Sequence, residues 1–184
     1  SLYSNRIGYL RLKTVNRGDR EMSLGVKHKK KYLNIKDGKI ALRQPNGERA
    51  LYDSIEGSLV GITKHPREFK GETVIYWYID LQDEDGETYS LSLHYNSGVA
   101  KAILNSLASV ETFGKIKIET YLKNEFTKTL VYNNGEKLNW KYTELPPVET
   151  VELGGKTVKD DSKRMRFFED IANELVNKVN RVNN

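Results

Sequence analysis

Residues 72–95 read ETVIYWYIDLQDEDGETYSLSLHY, and their alternation decides the fold class. In the first half Ile75, Trp77, Ile79 and Leu81 share one face of an extended chain, while Val74, Tyr76, Tyr78 and Asp80 share the other. In the second half Tyr89, Leu91, Leu93 and Tyr95 alternate with Thr88, Ser90, Ser92 and His94. A period of two belongs to a half-buried antiparallel sheet. Asp83-Glu84-Asp85-Gly86 joins the halves, and its Asp85-Gly86 pair supplies the positive φ of a tight or bulged hairpin. One face therefore carries aliphatics for a core. The other shows Tyr76 and Tyr78 among small hydroxyl side chains, a face with an evident use.

The flanking chain repeats the pattern. On the N-terminal side, IEGSLVGIT at 55–63 reads as a strand, with Gly57 and Gly61 where it can bend or bulge. Residues 64–71, Lys-His-Pro-Arg-Glu-Phe-Lys-Gly, read as a basic loop. On the C-terminal side, Val99, Ala100, Ile103, Leu104, Leu107 and Ala108 recur at helical spacing behind a cap at Asn96 or Ser97. A strand follows Gly114, with Ile116, Ile118, Thr120 and Leu122 on one face. Thr127–Tyr132 and Lys137–Tyr142 then read as a hairpin about Asn133-Asn134-Gly135.

Before this unit, hairpins are predicted between Ile7–Thr14 and Met22–Lys29, and between Tyr32–Ile35 and Lys39–Leu42 about Asp37-Gly38. After it come a weaker hairpin at Gly154-Gly155 and a helix over Asp161–Val179. Its stripe of Phe168, Ile171, Ala172, Leu175, Val176 and Val179 packs on its own domain or on a second copy.

Strand, strand, strand, helix, strand, strand is the order of a five-stranded OB-fold barrel. An α+β sheet covered by the helix is the competing arrangement. Glycines in the first strand, long second and third strands and a short helix favour the barrel. The expected protein is mainly β: a basic β-rich extension (1–54), an OB core (55–143), and a linker with an amphipathic helix (144–184). Trp77 and Trp140 are assigned to the core.

The chain of 184 residues carries a net charge of +5. Its first 54 residues hold 13 Lys/Arg against 5 Asp/Glu, so the positive excess belongs to this part. Such a cluster attracts polyanions. No run approaches the 18 or so apolar residues of a membrane span. No signal peptide opens the chain, whose first residue, Ser1 rather than Met, suggests a trimmed start. The absence of Cys suits a reducing cytoplasm.

In an OB barrel, extended chains bind across strands two and three, between the loops after strands one and four. That face would hold Tyr76, Tyr78, Ser90, Ser92 and His94. Tyr76, Tyr78, Phe69, Tyr121 and Phe126 are the candidate stacking residues. Lys64, Arg67, Lys70, Lys115, Lys117, Lys123 and Lys128 are the candidate phosphate contacts, with Lys29, Lys30 and Lys31 as a second patch or a charged strand end. Cations for phosphates and flat rings for unpaired bases are what single strands require.

With the runs GETVIYWYIDLQDEDGETYSLSLHY and GEKLNWKY, this arrangement resembles the single-OB single-stranded DNA-binding proteins of bacteriophages, over residues 55–143. The resemblance implies a non-enzymatic protein of the bacterial host cytoplasm that coats DNA in replication or recombination without sequence preference. It also implies a homo-oligomer, here a dimer through the C-terminal helix. Nothing in the residues identifies a 2′-OH reader, so RNA stays open beside DNA. The end, NKVNRVNN, lacks the acidic tail of many such proteins, which implies either trimming or another way of recruiting partners. The alternative function is a β-rich interaction or virion module.

Catalytic constellations are not found. His28, His65 and His94 lack ligand spacing. Asp80, Asp83, Asp85 and Glu87 read as turn acids rather than a metal site, and no cofactor is expected. Gly154-Gly155-Lys156-Thr157 lacks the first glycine of a phosphate loop, because Thr150 stands there.

Overall fold

The computed structural model describes residues 29–183. The hairpin expected between Ile7–Thr14 and Met22–Lys29 lies, but for Lys29, outside them. The described chain runs β1 (Lys31–Lys36), β2 (Lys39–Arg43), β3 (Arg49–Tyr52), β4 (Ser54–Phe69), β5 (Glu72–Gln82) and β6 (Thr88–His94). Helix α1 (Gly98–Leu107) precedes β7 (Lys115–Lys123), β8 (Phe126–Asn133) and the short β9 (Glu136–Lys137). A separate hairpin of β10 (Glu149–Leu153) and β11 (Lys156–Asp160) leads into α2 (Ser162–Asn183). The protein is thus mainly β.

Two-residue turns set most of the hairpins. Both central residues have positive φ at Asp37-Gly38 (50° and 77°), Lys70-Gly71 (51° and 80°), Asn134-Gly135 (53° and 83°) and Gly154-Gly155 (57° and 80°). That is the geometry whose twist matches paired strands. Three of these turns were legible from Asn, Asp or Gly at the first position. The Lys70-Gly71 turn was not, so the expected loop at 64–71 is instead strand: β4 continues to Phe69 and pairs with β5 as far as Phe69↔Glu72. Pro66 is tolerated there because the β4–β7 pairing ends at Ser58↔Lys115, leaving β4 with one neighbouring strand beyond it.

The sheet order is β9-β8-β7-β4-β5-β6-β1-β2-β3. The 72–95 hairpin forms as expected between β5 and β6; β4 pairs with β5 on one edge and with β7 on the other, and β7 pairs with β8. A barrel of five strands is not what results, because the far edge of β6 takes β1 in parallel, with Tyr32↔Ser90 and Leu33↔Leu91 as partners. Among the described residues the sheet therefore has nine strands rather than five, three of them contributed from within residues 1–54.

The β1–β2 turn seats on the β7–β8 hairpin. Gly38 N–H donates to Thr127 Oγ1 (3.1 Å), and Thr120 Oγ1–H donates to the Gly38 carbonyl (2.9 Å). A Cβ at position 38 would stand 2.7 Å from the Leu122 amide nitrogen, so glycine is required by contact as well as by φ.

The core lies on the face of Trp77, Ile79, Leu81, Leu91 and Leu93, with Leu33, Ile40, Ile116 and Ile118. Helix α1 buries Ile103, Leu104 and Leu107 against it, and Ser97 Oγ caps the helix by accepting from Ala100 N–H (3.1 Å). Asn105 of α1 is buried but satisfied: its amide donates to Tyr142 O (2.8 Å), and its Oδ1 accepts from Tyr142 N–H (2.9 Å). Leu138 N–H still donates to Val131 O of β8 (2.8 Å), but this capture draws residues 139–142 away, so the strand expected to reach Tyr142 stops at Lys137. Trp140, expected in the core, is 56 % exposed on that stretch.

The stripe of α2 is consumed within the chain. Met165, Phe168, Ile171, Ala172, Leu175 and Val179 are all buried in the common core, with Val176 packed against it. Glu169 anchors the helix to the sheet: Lys64 Nζ lies 2.9 Å from its Oε2, and the Tyr95 hydroxyl donates to the same oxygen. Those contacts, the tyrosine first, hold the Glu169 carboxyl below its ordinary range, while burial and Glu169 push the Tyr95 hydroxyl up. No helix among the described residues is long and apolar enough to cross a membrane.

Candidate functional site

A β-bulge decides which β4 side chains reach the polar face. Leu59 pairs with Leu81, but Gly61 pairs with Asp80, so Val60 is the extra residue. The inward set changes from Leu59 to Ile62, and Lys64 turns toward α2. Thr63, His65 and Arg67 turn to the other face, where Thr63↔Tyr78 and His65↔Tyr76 are cross-strand partners. Tyr78↔Ser92 and Tyr76↔His94 continue these rows onto β6, and β1 extends the face with Tyr32 beside Ser90.

The aromatic groups form a connected strip. Tyr32 and His65 each meet Tyr78 edge-on at 5.9 Å between centroids, and Tyr76 lies 4.7 Å from His94. The Arg67 guanidinium sits 4.8 Å over the Tyr76 ring and donates to the Tyr78 hydroxyl (3.3 Å). Tyr76 and Tyr78 are half-buried, so among the described residues the N-terminal strands widen their face and do not cover it.

Two adjoining depressions follow the strip. One, of about 610 Å³, is walled by Lys30, Arg43 and Arg67 with Tyr32, His65 and Tyr78. The other, of about 500 Å³, is walled by Lys36, Arg49 and Arg67 with Tyr76, His94 and Thr127. Asn34, Ser92 and Arg67 belong to both, which makes one groove. Five Lys or Arg side chains line it, and among the described residues no Asp or Glu does. Such a groove attracts an anionic chain and offers its bases flat faces.

The expected residues divide. Arg67, Tyr76, Tyr78, His94 and Lys30 meet in this groove. Phe69 and Lys70 stand exposed at the tip of the β4–β5 arm, with the Lys70 ammonium 5.5 Å from the Phe69 ring. Phe126, 68 % exposed, Lys123 and Lys128 occupy the β7–β8 tip, from which Thr127 reaches the groove. Lys64 does not join them, since it pairs with Glu169. Lys117 is engaged by Glu119 (2.8 Å), which raises its pKa, and Lys115 lies near Glu56 and Glu84 (3.9 and 3.7 Å). Tyr121 is exposed on β7 outside both depressions. Alternation splits the lysine patch. Lys30 enters the groove and pairs with Asp80 (2.9 Å), which raises its pKa; Lys31 turns to Glu87 (3.5 Å); Lys29 is exposed.

Tyr32, Asn34, Lys36, Arg43, Arg49 and His65 were not among the expected residues. The basic excess of the N-terminal part pointed to the region of the first five, but only the parallel β1–β6 pairing brings them to the groove, while the β4 bulge turns His65 into it. The turn acids have structural work: Asp83 Oδ1 accepts from the N–H groups of Asp85 and Glu87 (2.9 Å each). No family model matches this chain, and no curated protein or solved structure matches it either.

Proposed function

We propose that this protein binds single-stranded nucleic acid, without sequence preference and without chemistry, by laying the strand along the β4–β5–β6–β1 groove. The observation that carries this reading is a groove lined by five cations and a tyrosine–histidine strip, with no carboxylate in its lining among the described residues. Arg67, Lys30, Lys36, Arg43 and Arg49 take the phosphates, and Tyr76, Tyr78 and Tyr32 stack the bases. The order and pairing of β4 to β8 support reading them as an OB-type core in which β1 and β2 stand between β6 and the β7–β8 hairpin, where direct pairing of β6 with β8 would close a five-stranded barrel. In this reading the protein coats DNA in replication or recombination, as do the bacteriophage proteins its element order resembles.

Tyr78→Ala tests the role of the strip. A stacked base contributes roughly 1–3 kcal/mol, so the variant binds a labelled oligo-dT about tenfold more weakly by fluorescence anisotropy. Its melting temperature stays close to that of the parent, because Tyr78 faces the groove and not the core. A collapsed melting transition with unchanged affinity would make Tyr78 a structural residue and remove it from the site.

A further inference from the structure

Ser90 of β6 lines the larger depression, and its cross-strand partner Asp80 of β5 lies behind that lining, paired with Lys30. Both are deeply buried, Asp80 at 6 % and Ser90 at 1 % exposure. Each leaves one polar atom without a hydrogen-bond partner, Asp80 Oδ1 and Ser90 Oγ. Buried acceptors and hydroxyls are costly to leave in that state, and one adjacent pair, Ser90 in the groove lining and Asp80 just behind it, points to a ligand that completes them. The other carboxylate oxygen, Oδ2, is covered by Lys30 Nζ at 2.9 Å, and the Lys30 side chain is itself 51 % exposed. Tyr32 stands beside Ser90, and Tyr78 lies two residues before Asp80 on the same face.

We infer that Asp80 and Ser90 read the unpaired Watson–Crick edge of a base stacked on Tyr32 or Tyr78. This rests on the nucleic-acid reading of the groove and adds what the site recognises. Every base carries on that edge an N–H donor beside an acceptor: N3–H and O4 in thymine, N4–H and N3 in cytosine, N6–H and N1 in adenine, N1–H and O6 in guanine. An ionised carboxylate can only accept, and a serine hydroxyl can donate, so the pair matches all four bases. In a duplex the same atoms are taken by the opposite strand. The pair therefore selects single strands over duplex without selecting a sequence. Lys30 is a long side chain that exchanges the Asp80 carboxylate for a backbone phosphate as the base enters, which opens the carboxylate to the base.

N3-methylthymidine isolates the donor, since it keeps the ring, both carbonyls and the phosphate charge but has no N3–H. With the full chain, a 30-mer of N3-methylthymidine is expected to bind at least about tenfold more weakly than oligo-dT of equal length. In Asp80→Asn, whose amide can donate to a carbonyl, that gap narrows to within about threefold. Ser90→Ala, which removes only the hydroxyl, weakens both oligomers by a similar factor of about three to ten. Equal binding of the two oligomers by the parent protein, an unchanged gap in a folded Asp80→Asn, or an unchanged affinity in Ser90→Ala would overturn the inference and leave the groove's general role standing. Failure to bind either oligomer would instead remove the nucleic-acid reading itself.

Discussion

Arg67→Glu is expected to lower the affinity for oligo-dT on the order of a hundredfold at low salt. Arg67 is the cation common to both depressions, and it lies over Tyr76 while donating to the Tyr78 hydroxyl. Reversal removes an attraction and installs a repulsion at the middle of the groove. A charge pair at 4 Å is worth about 1 kcal/mol in water and about 4 kcal/mol near a protein surface, so two such changes comfortably span a hundredfold. The loss shrinks as salt screens the groove. Folding is little affected, because Arg67 is exposed on a projecting two-stranded arm, where a substitution changes stability by about 0.5 kcal/mol or less. Anisotropy titrations beside thermal melts separate the two effects. Unchanged affinity in a folded Arg67→Glu protein would place the binding site elsewhere.

Phe168→Ala is expected to do the opposite, costing stability and sparing binding. Phe168 is fully buried where α2 meets the sheet, and its ring packs edge-on against Phe167 (5.6 Å), which meets Tyr142 the same way (4.9 Å). Truncating a buried Phe costs about 3–5 kcal/mol through lost transfer energy and the cavity left behind. In a chain of this size that lowers the melting temperature on the order of 10 °C. No residue of α2 lines either depression among the described residues, so affinity measured well below the transition stays within about twofold of the parent. A loss of binding in the folded variant would mean that the helix helps shape the groove.

Local signals in the sequence carried much of this structure. The alternation through Glu72–Tyr95, the Asp37-Gly38 and Asn134-Gly135 turns, the Ser97 cap and the stripe of α2 each depend on residues close in the chain, and each appears where expected. What stayed hidden depends on partners far apart. The β1–β6 pairing joins segments separated by more than fifty residues, and without it Tyr32, Lys36 and Arg43 have no evident relation to Tyr78. Lys64 reads as a groove cation until the bulge at Val60 shifts the alternation by one residue and turns it to Glu169. Likewise the strand ending at Tyr142 obeys local propensity, but Asn105 of α1 offers its backbone better hydrogen bonds than β8 does. Lys70-Gly71 was missed because lysine carries no turn signal of its own.

The most direct test is a titration of labelled oligo-dT of about 30 nucleotides at low and at high salt, with duplex DNA as competitor. If the groove's cations neutralise four or five phosphates, log affinity should fall against log salt with a slope of about −3, and duplex should fail to displace the strand. Absence of binding at low salt, or a salt-independent affinity, would contradict the account. It would favour the alternative in which this β-rich unit holds a protein partner.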